Sequence, residues 1–242
     1  MGIKVEHLTK EFDGRKVLDD ISFEVKTGEI LAIVGFSGSG KSTILKLISG
    51  LISQDKGTIT TDKGDVAMVF QYSALFDSLN VFDNISFALT ERKEFRGKYS
   101  EAQIEEIVSH NLETVGLEGI ENKFPHELSG GMQKRVSFAR AIVTEPATIL
   151  YDEPTAGLDP VASTIIEDYI LRLREETKST AIIVTHQLST ITRCADRLIM
   201  LYGGKIVFEG TPQELLSKQS PYAKQFCEAS VEGPMNIMTT SF

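Results

Sequence analysis

A glycine-rich loop that ends in lysine and serine is the first feature of the sequence with evident chemistry. Residues 35–42 fit the pattern G-x-x-x-x-G-K-S, and they lie between the apolar run 29–34 and the helix-forming run 43–49. Glycines let backbone N–H groups surround a phosphate, a helix start adds a favourable dipole, and lysine supplies positive charge at the β- and γ-phosphates. The loop therefore predicts a nucleoside triphosphate site formed by Gly35, Phe36, Ser37, Gly38, Ser39, Gly40, Lys41, Ser42 and Thr43.

Two adjacent carboxylates end a second apolar run, residues 148–153. Burying charge at the end of such a run is costly unless the charge has a partner. With a triphosphate site nearby, we expect Asp152 and the Ser42 hydroxyl to bind Mg²⁺. We expect Glu153 to polarise an attacking water molecule while Lys41 stabilises the phosphoryl charge. The alternative is a pair of solvated acids at the end of a strand.

The elements that must position these residues are visible as apolar patterns. Nearly continuous apolar runs, typical of parallel strands buried on both faces, occur at 29–34, 66–70, 148–151 and 180–185. Near the N-terminus, 3–6 and 21–25 alternate with period two and predict a small antiparallel sheet. Helix-capping signals at Ser100, Asp159 and Thr211 predict helices that begin after them. The pattern of strands alternating with helices indicates an α/β fold.

Composition limits the classes of function. The chain has 242 residues, a net charge of −9 and 41% hydrophobic residues, which suits a folded α/β domain. Its acidity argues against binding nucleic acid through bulk charge. Apolar runs are far shorter than the roughly 20 residues that cross a bilayer. The N-terminal residues lack the features of a secretory signal, so we expect a reducing compartment, with Cys194 and Cys227 as packing thiols.

Residues 128–135, Leu-Ser-Gly-Gly-Met-Gln-Lys-Arg, resemble the LSGGQ signature of the ATP-binding-cassette (ABC) ATPases. Further motifs of that family occur in family order, over residues 1 to about 215. They are Phe12 as the aromatic that stacks on adenine, Gln71 as the Q-loop, 156–159 as the D-loop and His186 as the switch histidine. The resemblance implies a phosphate-loop NTPase fold: a parallel core sheet with helices, an antiparallel β subdomain and a helical subdomain.

The resemblance also implies a dimer that binds two ATP molecules with Mg²⁺. The signature residues Ser129, Gly130 and Gly131 would begin a helix and meet the γ-phosphate held by the second copy, in a head-to-tail pair. Asp159 would contact the partner copy as well as cap a helix. Gln71 would join the metal site, and His186 would position the γ-phosphate. Met132 occupies the position where the family usually has glutamine, and its backbone can still take part in the signature's anion site.

Three of these residues have plainer interpretations. Phe12 could fill the core of a strand, Gln71 could be a polar strand end, and His186 could be a core histidine with its hydrogen bonds satisfied.

Residues 72–85 and the LSGGM variant are similar to the ATPases of Mla-type phospholipid transporters. That branch implies integral-membrane permease subunits as partners, with an MCE-domain protein and a small STAS-type regulatory subunit, at the cytoplasmic face of the inner membrane. We expect the apolar residues after the Q-loop to form a groove for a permease helix, or to pack internally; these are Leu75, Phe76, Leu79, Val81 and Phe82. The alternatives are an amino-acid or other small-solute importer and a soluble, non-transport ABC ATPase. A phosphate-loop kinase would not need the signature.

We divide the chain into an ATPase domain, 1–225, and a C-terminal tail, 226–242. The helical subdomain with the signature is placed at about 72–145. The tail resembles the extension of the Mla branch, which implies that residues 234–237 dock on the opposite subunit.

Overall fold

The computed structural model describes residues 2–62 and 64–236. The strands in this part of the chain are β1 (Ile3–Phe12), β2 (Arg15–Val25), β3 (Ile30–Val34), β4 (Lys56–Thr61), β5 (Val66–Val69), β6 (Thr148–Asp152), β7 (Thr180–Val184), β8 (Arg197–Tyr202) and β9 (Lys205–Gly210). The α-helices are α1 (Lys41–Ile48), α2 (Val81–Glu91), α3 (Glu101–Thr114), α4 (Gly130–Ile142), α5 (Pro160–Thr177), α6 (Leu188–Cys194), α7 (Pro212–Leu216) and α8 (Pro221–Cys227). A short 3₁₀ helix spans Pro125–Glu127.

The central sheet has the strand order β5-β6-β7-β3-β8-β9. Strands β5, β6, β7, β3 and β8 are parallel, and β9 returns antiparallel to β8 through Gly203 and Gly204, both at positive φ. Every residue of β3, β6 and β7 is buried, as their apolar runs predict. Because these three strands are neighbours and parallel, the loops after them open at one edge of the sheet.

A second, antiparallel sheet has the order β2-β1-β4. The sequence predicted β1 and β2 but not β4, whose residues Lys-Gly-Thr-Ile-Thr-Thr carry a single large apolar side chain. Pairing decides its structure, since Thr61 lies opposite Ile3 and Ile59 lies opposite Val5 in β1. Strand β4 is therefore a case in which tertiary context outweighs a weak local pattern.

Helices α2, α3 and α4 occupy the chain between β5 and β6, within the segment predicted as a helical subdomain. Their facing side chains form one hydrophobic cluster that includes Ile85 of α2, Val108 and Leu112 of α3, and Val136 of α4. Helix α3 begins with the predicted capping box, in which Ser100 and Gln103 satisfy each other's backbone N–H groups.

The C-terminal residues described pack on their own chain. Met235 is fully buried in a cluster with β3 and β8, and the buried Gln225 side chain hydrogen-bonds the backbone N–H and C=O of Met235 at 2.8 Å each. Ile237, the last residue of the segment expected to dock on a partner, lies outside the described residues. In the described part of the chain, no helix has the length and apolar character needed to cross a membrane.

The capping box makes a stability prediction. Replacing Ser100→Ala removes the acceptor for the backbone N–H of Gln103, 3.3 Å away, and we expect a loss of about 1 kcal/mol in the free energy of unfolding. For a domain of this size that is a decrease of about 2–4 °C in Tm. Ser109→Ala, at an exposed interior position of the same helix, is the matched control and should not lower Tm in calorimetry. Equal effects of the two changes would contradict the capping role.

Candidate functional site

The loop between β3 and α1 is shaped by its glycines. Gly35 has φ 146°, and a Cβ added there would come within 2.5 Å of the Leu201 carbonyl oxygen in β8. Gly40 has φ 99° and ends the loop where α1 begins. Backbone N–H groups at the start of a helix have no intrahelical partner. The loop therefore presents free donors to an anion, as the sequence predicts.

Lys41 lies across this loop. Its Nζ donates hydrogen bonds to the carbonyl oxygens of Gly35 at 2.8 Å and of Phe36 at 2.9 Å. Burial lowers the pKa of the Lys41 ammonium, and the nearby carboxylates of Glu153 and Asp152 oppose that effect. The contacts fix the ammonium beside the loop, where a bound anion would replace water as its partner.

Ser42 and Asp152 are in direct contact. The Ser42 hydroxyl donates to Asp152 Oδ1 at 2.9 Å, joining the start of α1 to the end of β6. Burial raises the pKa of Asp152, and the hydrogen bond from Ser42 opposes that rise. Two protein oxygens fit Mg²⁺, which typically takes one or two carboxylates and completes its shell with water and substrate phosphates. Among the residues described, no cluster of three or more His, Cys, Asp or Glu side chains forms a metal site of its own.

Glu153 and His186 form a second contact, between the segments that follow the neighbouring strands β6 and β7. His186 Nδ1 lies 2.9 Å from Glu153 Oε1, and the Glu153 backbone N–H donates to the Val184 carbonyl of β7. Glu153 adopts φ 50°, a left-handed conformation that is rare for a non-glycine residue and is often found at functional sites. Its Oε2 is buried and has no hydrogen-bond partner in the described structure. One oxygen of this carboxylate is thus held by histidine, while the other makes no hydrogen bond to the described protein.

Lys41, Ser42, Glu153 and His186 line one cleft of about 960 Å³, and Asp152 adjoins it through its hydrogen bond with Ser42. Phe12, which precedes the phosphate loop in the sequence, and Gln71, which follows it, also line this cleft. Phe12 is 44% exposed and the His186 side chain is 62% exposed, so interpreting either as a core residue is wrong. The cleft brings together the predicted residues Phe12, Gly35, Phe36, Ser37, Gly38, Gly40, Lys41, Ser42, Thr43, Gln71, Glu153 and His186. Ser39 lies in the same loop, buried beside Gly35.

The predicted residues of the signature and of the D-loop occupy a different place. Ser129, Gly131 and Asp159 line a separate cavity of about 240 Å³. Ser129 caps the N-terminus of α4 by accepting a hydrogen bond from the Met132 N–H, and Gly130 is the first residue of that helix. Asp159 caps α5, accepting from the N–H groups of Val161 and Ala162. The signature residues of one chain therefore do not face its own phosphate loop.

Some cleft residues carry no motif that the sequence analysis could use. Val17 follows the Phe12 turn, Leu188 begins α6, and Phe226, Cys227 and Ala229 come from the end of α8. The C-terminal residues reach the cleft because α8 packs beside Phe36 in the cluster that also buries Met235. Only the tertiary structure brings that segment to the loop.

The parallel sheet, the phosphate loop and the carboxylates that follow a neighbouring strand define the protein as a phosphate-loop NTPase. The ABC transporter family model matches residues 18–156, more than half of the chain. The chain belongs to the ABC transporter family, and it is an ATP-binding, ATP-hydrolysing cassette.

Similarity to individual relatives extends over nearly the whole chain. This chain is 42% identical over 263 residues to the chloroplastic protein TRIGALACTOSYLDIACYLGLYCEROL 3 of Arabidopsis thaliana, and the match covers 96% of this chain and 75% of that protein. It is 36% identical to the intermembrane phospholipid transport system ATP-binding protein MlaF of Haemophilus influenzae, covering 97% and 93%. It is also 38% identical to the sulfate/thiosulfate import ATP-binding protein CysA of Xanthomonas campestris pv. campestris, covering 95% and 70%.

Solved structures agree with this assignment. A dimeric, post-hydrolysis structure of the ATP-binding cassette MJ0796 bound to ADP and Pi superposes with a TM-score of 0.80 at 29% identity, covering 87% of this chain and 98% of that one. The cbiO1 component of a Clostridium perfringens ABC transporter complex superposes with a TM-score of 0.79 at 30% identity, covering 92% and 93%.

The position of Lys41 predicts a loss of nucleotide binding when its charge is removed. A charged hydrogen bond contributes about 1.5–3 kcal/mol, so Lys41→Ala should weaken ATP binding by about tenfold or more. Lys46→Ala removes an exposed lysine from the same helix and is the control. Isothermal titration calorimetry measures both. If Lys41→Ala binds ATP as tightly as Lys46→Ala, Lys41 does not contact the phosphates.

Proposed function

We propose that the chain hydrolyses ATP by in-line attack of water, with Glu153 as the general base. The observation that carries this role is that Glu153 lines the cleft with Oε1 held 2.9 Å from His186 Nδ1, while its buried Oε2 has no hydrogen-bond partner. A carboxylate oxygen without a protein partner is free to accept a proton from water. His186 orients this carboxylate and positions the γ-phosphate.

Lys41 and the N–H groups of the phosphate loop would neutralise the charge that develops on the transferred phosphoryl group. Ser42 and Asp152, joined at 2.9 Å, would hold Mg²⁺, and Gln71 would reach the same region from the cleft wall. Bound Mg²⁺ supplies Lewis-acid stabilisation of the phosphate oxygens. Phe12, exposed at the end of β1, would stack on adenine.

We also propose that the active form is a head-to-tail dimer. Ser129, Gly130 and Gly131 start α4 at a surface separate from the cleft, so the anion site of that helix cannot serve the nucleotide of its own chain. A second copy rotated by a two-fold axis would place each signature helix over the other's nucleotide. The dimeric structure of the MJ0796 cassette supports the formation of a dimer. Binding of two ATP molecules would close the dimer, and hydrolysis would reopen it.

A groove beside the Q-loop supports coupling to a membrane-embedded permease. A cavity of about 350 Å³ is lined by Phe76, Phe87 and Arg140. The two phenylalanine rings are 4.8 Å apart, and the Arg140 guanidinium lies 5.6 Å from the Phe76 ring centre. An apolar groove of this form suits an amphipathic helix.

Of the five apolar residues expected in this groove, Phe76 lines it. Leu75, Val81 and Phe82 pack internally against the helical subdomain, and Leu79 is half-buried. Asn84, fully buried, holds the loop: its Oδ1 accepts from the Phe76 N–H at 2.8 Å and its Nδ2 donates to the Phe76 carbonyl at 3.0 Å. The groove is thus built on a rigid loop.

We assign phospholipids as the cargo class. The support is similarity along nearly the full chain to a phospholipid transport ATPase, MlaF. Permease subunits, an MCE-domain protein and a STAS-type regulator would be partners at the cytoplasmic face of the inner membrane. Similarity to a sulfate/thiosulfate import ATPase keeps a small-solute importer as the second candidate.

Replacing Glu153→Gln tests the general base. Because the amide cannot accept the proton, ATP turnover should fall by about a hundredfold or more, while ATP binding persists. The ATP-bound protein should then accumulate as a closed dimer, detected by size-exclusion chromatography with light scattering. Turnover near the level of the unchanged protein would refute Glu153 as the base. A monomer that binds ATP but never dimerises would refute the dimer alone.

Replacing Phe76→Asp tests the groove, because a buried charge would oppose docking of an apolar helix. In affinity purification from mild detergent, we expect loss of the permease with ATP binding retained. Leu51→Asp, an exposed residue outside the groove, is the control. An MCE-domain protein recovered with the unchanged chain supports lipid transport, whereas a solute-binding protein in its place identifies an importer. Retention of the permease by the Phe76 variant would contradict docking here.

A further inference from the structure

A buried polar chain lies behind the two catalytic loops and outside the nucleotide cleft. It joins Thr155, Thr190 and Glu167, whose exposed fractions are 0%, 1% and 3%. The Thr190 hydroxyl donates to Glu167 Oε1 at 2.7 Å, and the hydroxyls of Thr155 and Thr190 are 3.1 Å apart. Thr155 Oγ1 also lies 3.1 Å from Gln187 Oε1. No side chain of the three lines the cleft.

Proton counting fixes the direction of the bonds. A hydroxyl has a single proton, and Thr190 uses its own on the Glu167 carboxylate, which is acceptor-only when ionised. The contact between the two threonines is therefore a hydrogen bond only when Thr155 is its donor. Thr155 has two acceptors within 3.1 Å, Thr190 and Gln187, and can donate to one at a time. The chain thus ends on an anion, and bonds that end on a charged group are the stronger ones.

The negative charge of Glu167 is balanced by Arg193, which lies toward the protein surface. Arg193 of α6 places Nε 3.5 Å from Glu167 Oε2, and its Nη2 donates to Asp168 at 2.5 Å. A carboxylate buried to this degree is retained only when it is paired and hydrogen-bonded. Helix α6 is therefore tied to α5 through both its buried Thr190 and its outer Arg193.

The chain joins the segments that carry the proposed base and the switch histidine. Thr155 is two residues after Glu153, in a turn closed by a hydrogen bond from the Ala156 N–H to the Glu153 carbonyl at 3.2 Å. Gln187 follows His186 and begins the turn into α6. Glu153 has φ 50°, a conformation that costs energy and persists only when the surrounding structure imposes it. A second link between the two loops, behind the contact of Glu153 with His186, supplies that constraint.

We propose that Thr155, Thr190 and Glu167 are positioning residues for ATP hydrolysis, which hold the Glu153 turn and the His186 loop in register. The proposal rests on the catalytic roles proposed for Glu153 and His186. The side chains of the three residues make no hydrogen bond to the phosphate loop or to Asp152, so their loss should slow the chemical step and leave nucleotide affinity intact. Misplacing a catalytic group by about 1 Å can cost on the order of a hundredfold in rate.

The test is a set of substitutions on α6, assayed in the full chain. Thr190→Val keeps the shape of the side chain and removes the hydroxyl, Thr190→Ser restores the hydroxyl, and Thr192→Val changes an exposed threonine that bonds only within its own helix. We expect Thr190→Val to lower kcat by about tenfold or more, with KM and ATP affinity within about twofold of the unchanged protein, since tenfold corresponds to about 1.4 kcal/mol. Thr190→Ser should recover most of kcat, and Thr192→Val should retain it.

Each other outcome overturns the proposal. Full activity of Thr190→Val, or a parallel loss of ATP affinity, would show that the chain does not position the catalytic loops. Failure of Thr190→Ser to recover kcat would assign the effect to packing. If Thr190→Val does not fold, the pair Thr155→Val and Thr155→Ser tests the same link from the other loop by the same measurements. Full ATP turnover by the Glu153→Gln variant would refute the proposed base. Full turnover by Thr190→Val together with loss of turnover in Glu153→Gln would refute only the positioning role of the three residues.

Discussion

Burial of charge at one edge of an apolar sheet is the constraint on which this structure depends. Lys41, Asp152 and Glu153 are each at least nine-tenths buried, and each has a hydrogen-bond partner. Lys41 bonds its own loop, Asp152 bonds Ser42, and Glu153 bonds His186 from the next strand. Burial raises the pKa of Asp152 and lowers that of Lys41, so both groups would be more stable with the charged ligands that the cleft is shaped to take.

The same constraint separates the two surfaces of the chain. The side chains proposed as catalytic meet where parallel strands end, but the signature helix begins on a different face, beside Asp159 and the N-terminus of α5. A single copy therefore carries the phosphate loop on one surface and the start of the signature helix on another. The proposed head-to-tail dimer would use both surfaces, and nucleotide binding would then be linked to subunit association.

Local motifs predicted much of the site because its spacing is short. The phosphate loop, the carboxylate pair and the capping signals at Ser100 and Asp159 each depend on a few adjacent residues whose conformations are set locally. The sequence did not predict strand β4, because a single large apolar residue gives no alternating pattern. The strand forms through its pairing with β1. The polar chain of Thr155, Thr190 and Glu167 was also not predicted, since its members are separated by 12 and 23 positions and look like ordinary helix and loop residues.

The sequence by itself determined the class of chemistry, the α/β alternation and the family, because glycine spacing, apolar periodicity and short motifs are local properties. Only the tertiary structure decided that Glu153 has one held and one free oxygen, that α8 reaches the cleft, and that Met235 is buried on its own chain. The physical reason is that burial and hydrogen-bond partnership depend on which distant segments pack together. No window of neighbouring residues contains that information.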